Sequence, residues 1–123
     1  MTDKEDNYEG ILDKILKHCM TEEEIRNREF VNGCTYQKAI PPQTMQTLMD
    51  YLFRGYPTGS FCQAVLNNNL SKALAKADYL NIKAINPIVK MVVNCFPMYA
   101  RNYDAWLKLH EIREMREGSE DLE

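Results

Sequence analysis

Glycine and proline are scarce, five of each in 123 residues, which excludes fibrous and low-complexity architectures. No apolar run approaches the ~20 residues that a membrane-spanning helix needs. The four cysteines, Cys19, Cys34, Cys62 and Cys95, stand 15, 28 and 33 positions apart. None forms the close pair that brings two thiolates to one zinc ion, so no metal site is expected. Three of them fall in apolar-periodic stretches, where a free thiol acts as a small buried hydrophobe. Gly-rich phosphate loops, HExxH and Ser-x-Gly nucleophile motifs are missing as well. His18 and His110 have no nucleophile nearby in sequence to serve, and His110 reads as an exposed or boundary residue. No catalytic residue and no cofactor are therefore expected. The opening MTDKEDNYEG is polar and acidic, unlike a secretory leader, and implies a cytoplasmic protein.

Acidic residues are almost missing from the middle of the chain. Residues 30–100 hold six basic side chains and only two acidic ones, Asp50 and Asp78, although the whole chain has a net charge of −3. The positive part is too dilute for a binder of duplex nucleic acid, which gathers its cations into one larger patch. It leaves room for one small anionic ligand.

What is present is helical periodicity. The 45% hydrophobic and 27% charged composition fits one domain over residues 1–123, with acidic ends at 1–6 and 118–123 expected to fray. Ile11, Leu12, Ile15, Leu16 and Cys19 form a one-sided stripe that predicts a helix over 7–20. Thr21 and Glu24 make a capping box for a short helix fading by Asn27. Asn32-Gly33 is a turn signal that allows either a small hairpin, Phe30-Val31 against Cys34 to Tyr36, or an irregular loop. Pro41-Pro42 opens a helix reaching Arg54, marked by Met45, Leu48, Met49, Leu52 and Phe53. Ser60 and Gln63 read as a second capping box, starting a helix that carries Phe61, Ala64, Val65, Leu70, Ala73, Leu74 and Ala77. Pro87 either kinks the apolar stretch 80–95 or starts a new helix capped by Asn86. A last helix runs from about Asn102 to Arg116 on Trp106, Leu109 (or Leu107), Ile112 and Met115. The expected fold is mostly α, a compact bundle of about five helices with at most one minor β-hairpin near residues 30–36.

Two features depart from simple packing. Thr58-Gly59-Ser60 runs into a helix start, where unpaired N–H groups and the positive dipole end accept a phosphate or carboxylate. Arg54 lies one turn earlier, and Ser60 has the plainer use of a cap. Asn67-Asn68-Asn69 is a run of poor helix formers. On a continuous helix, Asn67, Ser71, Ala75 and Asp78 share a face with Asn81 close by. That face either reads a polar ligand or is solvated; otherwise the triplet ends one helix and caps the next. Seven tyrosines and seven methionines suit interfaces and stacking on flat ligands. A homo-oligomer is expected, with Tyr51, Tyr103 and Trp106 as interface candidates.

The order Pro57-x-Gly59-x-Phe61, Ala64-Val65-Leu66-x-Asn68-x-Leu70, Ala77-Asp78-x-x-Asn81, Asn94-x-x-Pro97 and Trp106 resembles a family of small proteins common in bacteriophages and prophages. Asn69 stands where that pattern has an acidic residue, and Ala100-Arg101 replaces a Gly-Ser. The resemblance covers less than half of the chain and implies a setting more than an activity: an accessory protein in the host cytosol that counters host defence. Such a protein grips a host defence protein or traps a phosphorylated nucleotide signal, linear or cyclic. The ligand-contact candidates are Arg54, Tyr56, Thr58, Gly59, Ser60, Asn67, Asn68, Asp78 and Asn81. The rivals are a protein–protein module and, behind it, a small phosphohydrolase using His110 or Asp78.

Overall fold

A computed structural model describes the backbone of residues 3–121 and the side chains of residues 10–115. The ends expected to fray, 1–6 and 118–123, have side chains outside the described residues. Helix α1 spans Asp3–His18 and α2 spans Glu22–Asn27. Thr21 caps α2 as its sequence requires: Glu24 N donates to Thr21 Oγ1 at 3.1 Å and Thr21 N to Glu24 Oε1 at 2.9 Å. Hydrogen bonding from Thr21, through its backbone N–H first and its hydroxyl second, holds the Glu24 carboxyl below its ordinary range. Strand β1 (Glu29–Val31) pairs antiparallel with β2 (Cys34–Thr35) around Gly33, whose φ of 74° suits the Asn-Gly turn. A ribbon this small needs support. It comes from Tyr36 beside Phe30, with ring centroids 5.8 Å apart, and from Lys90, whose ammonium sits 5.5 Å above the Phe30 ring. Tyr36 itself starts α3 (Tyr36–Ala39) instead of extending the strand.

Helix α4 spans Pro42–Arg54, as its periodicity predicts, and buries Met45, Leu48, Met49, Tyr51 and Leu52. It ends at Gly55, where φ is 72°. A Cβ built at Gly55 would overlap Cβ and Cγ of His110, so glycine there serves both the turn and a close helix approach.

The mostly α class holds, but the chain breaks into more helices than five. The stretch expected as one helix is divided into α5 (Ser60–Leu66) and α6 (Leu70–Lys76). The asparagine triplet causes the division. Asn67 is the C-cap of α5, Asn68 adopts φ 58°, and Asn69 caps α6 by accepting from Lys72 N at 3.1 Å. Asparagine tolerates the left-handed region and caps well, so three in a row favour a corner over a continued helix. The shared face proposed for Asn67, Ser71, Ala75 and Asp78 therefore does not exist.

Helix α7 (Tyr79–Lys83) is capped by Asp78, which accepts from Asn81 N at 2.9 Å. Helix α8 (Ile85–Cys95) follows directly. The break thus falls at Ala84, two residues before the expected Asn86 cap, and places Pro87 in the first turn of α8, where its missing N–H is harmless. A 3-10 turn (Met98–Arg101) leads to α9 (Tyr103–Asp121).

Helix α9 packs on both α1 and the 3-10 turn, so it needs more than one buried line. Tyr103, Trp106 and His110 are buried, Leu107, Leu109 and Ile112 are half-buried, and Met115 is exposed. His110 is therefore corrected from boundary to interior. The buried side chains form one continuous core cluster. Among the described residues, no helix is long and apolar enough to cross a membrane.

Candidate functional site

The residues singled out by sequence divide into two groups. One is used up inside the molecule. Tyr51 and Trp106 are fully buried and Tyr103 nearly so, which corrects their assignment to an interface. Their polar tips explain why aromatic residues of this type stand there. Trp106 Nε1 donates to the carbonyls of Tyr51 and Leu52 at 3.2 and 3.3 Å, closing the C-terminal end of α4. Tyr51 OH donates to the Ala100 carbonyl at 2.6 Å, and its ring stacks on Tyr103 at 5.5 Å. Burial pushes the Tyr51 hydroxyl well above the usual tyrosine range, with Tyr103 and Asp104 adding to the effect.

Tyr103 binds the turn before α5 through both atoms of its hydroxyl. Thr58 N donates to it at 2.8 Å, and it donates to the Thr58 carbonyl at 3.3 Å. Asn67 Oδ1 accepts from Tyr103 N at 3.0 Å. The two Thr58 bonds fix the approach to α5 and make extended Gly59 its N-cap, with no side-chain capping bond. Ser60 is the first helical residue, and the expected Ser60–Gln63 box does not form. Arg54 is engaged elsewhere: it pairs with Asp50 at 2.8 Å and approaches Glu22 at 3.8 Å. Asn68 is exposed at its corner, and Tyr56 is exposed on its turn. Thr58, Arg54, Tyr56, Asn67 and Asn68 do not line the cleft described next.

The second group converges. Gly59, Ser60, Asp78 and Asn81 line a cleft of about 740 Å³ between the starts of α4, α5 and α7. Residues 59–61 and 78–81 are far apart in sequence, and α4 brings them together: buried Thr44 donates to Asn81 Oδ1 at 2.5 Å. The other end of the Asn81 side chain is an NH2 donor. Neither α4 nor α5 has a side-chain cap. Their first backbone bonds are made by Met45 N and Gln63 N, so the N–H groups of Gln43, Thr44, Ser60, Phe61 and Cys62 precede the helical ladder. Lys76 supplies the basic group on the wall, and the Asp78 carboxylate is occupied as a cap. Burial pushes the Cys62 thiol up to about 11, which leaves a neutral sulfur as apolar wall beside Phe61.

The α4 contribution was missed by reading the sequence. Its signal was the Pro41-Pro42 entrance itself: a helix begun by proline, without Ser, Thr, Asp or Asn at the N-cap, leaves its first amides without a side-chain acceptor. Lys76 and Thr44 carried no local signal. Among the described residues, no group of three or more His, Cys, Asp or Glu side chains is placed to hold a metal ion. Comparison of the chain with protein families, curated proteins and solved structures gives no match.

Proposed function

We propose that the protein acts by binding, without catalysis, and that the cleft at the starts of α4 and α5 holds a small phosphorylated ligand of nucleotide size. One observation carries this reading. Two of the segments that make up the phage-like pattern, Gly59 to Phe61 and Asp78 to Asn81, meet on a single cleft, although their roles in capping and turning do not require them to meet. The cleft volume lies within the ~300–1,000 Å³ range of small-molecule sites. Its chemistry suits an anion with a polar body: uncapped amides and the Lys76 ammonium for charge, the hydroxyls of Ser60 and Thr44 and the Asn81 amide for hydrogen bonds. Tyr79, exposed on the first turn of α7, lies outside the cleft lining and already holds the Lys83 ammonium 5.0 Å over its ring. In the setting that the phage-like pattern implies, such a protein removes a nucleotide signal of host defence in the host cytosol.

The test is calorimetry and thermal unfolding against nucleoside monophosphates, cyclic mono- and dinucleotides and inorganic phosphate. A nucleotide present at 100-fold over its Kd is expected to stabilise the fold by about 2.7 kcal/mol. Lys76→Glu, at an exposed position, is expected to abolish that gain while leaving the unliganded Tm unchanged. No stabilisation by any member of the panel, or an equal gain in the variant, overturns the reading.

A further inference from the structure

A second surface, sharing no residue with the cleft, lies where the C-terminal half of α1 faces the end of α8 and the 3-10 turn. It is a groove of about 500 Å³ with Ile15, Cys19, Met20, Phe96, Met98 and Tyr99 among its walls. Met98 and Tyr99 are 77% and 65% exposed, which is unusual for neighbouring large apolar side chains on one turn. The turn that presents them is fixed. Ala100 between them and α9 is fully buried, its N–H bonds to the Pro97 carbonyl at 2.9 Å, and its own carbonyl accepts from Tyr51 OH. The two side chains are thus held out on a rigid mount, so little ordering cost remains when a partner covers them.

Among the described residues, no carboxylate lines the groove, although Glu24 acts on Cys19 at its floor. Lys14 and His18, one helical turn apart on α1, line it. Arg28 reaches the same edge, its Nη1 3.6 Å from Met20 Sδ. Among the described residues, neither Lys14 nor Arg28 has a carboxylate within ion-pair distance. The acidic group that acts on Cys19 is Glu24, and its carboxylate already accepts from Thr21 N. The floor stays uncharged: burial, with the neighbouring Cys95 and Glu24, pushes the Cys19 thiol up to about 11, and burial also raises Cys95.

We propose that this groove docks an amphipathic helix of a partner protein whose polar face is acidic. The apolar face of such a helix, at i, i+3, i+4 and i+7, covers Met98, Tyr99 and Met20, and its carboxylates meet Lys14 and Arg28. Methionine at two of these positions adapts to the exact shape of the anchor residues.

The test uses the full chain and two labelled synthetic peptides with the same leucines at i, i+3, i+4 and i+7. One carries glutamate at its polar positions and the other lysine. By fluorescence anisotropy at low salt, the glutamate peptide is expected to bind at least ~10-fold more tightly than the lysine peptide, with the gap closing as salt rises. Met98→Glu is expected to weaken it ~10-fold or more without lowering Tm, since that side chain is exposed. The Lys14→Glu, Arg28→Glu double variant is expected to reverse the charge preference. Lys76→Glu, in the cleft, leaves peptide binding unchanged. No binding, equal binding of both peptides, insensitivity to Met98→Glu, or a Met98-dependent dimer in sedimentation that excludes the peptide each overturns the proposal.

Discussion

The seam between α4 and α9 and the cleft at the other end of α4 are built from similar residue types, yet they use them in opposite ways. In the seam, the polar tips of four side chains point at backbone groups: Trp106 at α4 carbonyls, Tyr51 at Ala100, Tyr103 at Thr58, Asn67 at Tyr103. In the cleft, the starts of α4 and α5 have no side-chain caps, and Lys76 stands on the wall. A polar residue beside an apolar stripe is therefore ambiguous in sequence. What separates its uses is whether a backbone partner lies within reach once the helices pack.

That contrast predicts where substitutions hurt. Trp106→Ala empties a fully buried site and removes the indole donor that the Tyr51 and Leu52 carbonyls share, and is expected to cost about 3–5 kcal/mol in chemical denaturation. Gly55→Ala should come next. It puts a side chain in a left-handed conformation, at about 1–2 kcal/mol, and drives a methyl into His110, so the total should exceed the backbone cost alone. An unchanged midpoint would mean that α4 and α9 do not approach as closely as Gly55 and His110 indicate.

The seam should also sense acid. Burial lowers the His110 pKa below its ordinary 6.5, opposed by a bond with the Leu52 backbone, and its Nε2 has no partner among the described residues. The folded state thus refuses a proton that the unfolded chain accepts. Stability contributed by neutral His110 is intact above about pH 6.5 and declines as pH falls below it, and this slope should flatten in His110→Leu. The smallest pair sharpens the comparison. Asn67→Ala, which removes the acceptor for Tyr103 N, should cost about 1 kcal/mol, whereas Ser60→Ala, with no capping bond to lose, should stay within about 0.5 kcal/mol.

Much of the fold is legible in the chain. The α4 stripe, the Thr21–Glu24 box and the Asn-Gly ribbon are local, and each is decided by residues within a turn of one another. Less legible were choices made by distant partners. Ser60 looks like a cap, but Tyr103, 43 positions later in the sequence, fixes Thr58 and moves the cap to Gly59. Trp106 and Tyr51 look like interface residues because tyrosine and tryptophan are common there, and only the approach of α9 to α4 reveals their internal acceptors. For the site, Gly59, Ser60, Asp78 and Asn81 were identified from sequence and do meet; Arg54, Tyr56, Thr58, Asn67 and Asn68 do not line the cleft. Thr44 and Lys76 had no signal because their proximity to the others is purely tertiary.

The most direct measurement is an amide proton–nitrogen NMR titration of the 15N-labelled protein with a nucleoside monophosphate. A ligand in the cleft must perturb the amides of Gln43, Thr44, Ser60, Phe61 and Cys62 together, in one saturating event, while those of the seam such as Thr58 and Tyr103 stay in place. Perturbations scattered over the surface, or none at saturating nucleotide, would contradict the assignment of this cleft as a binding site.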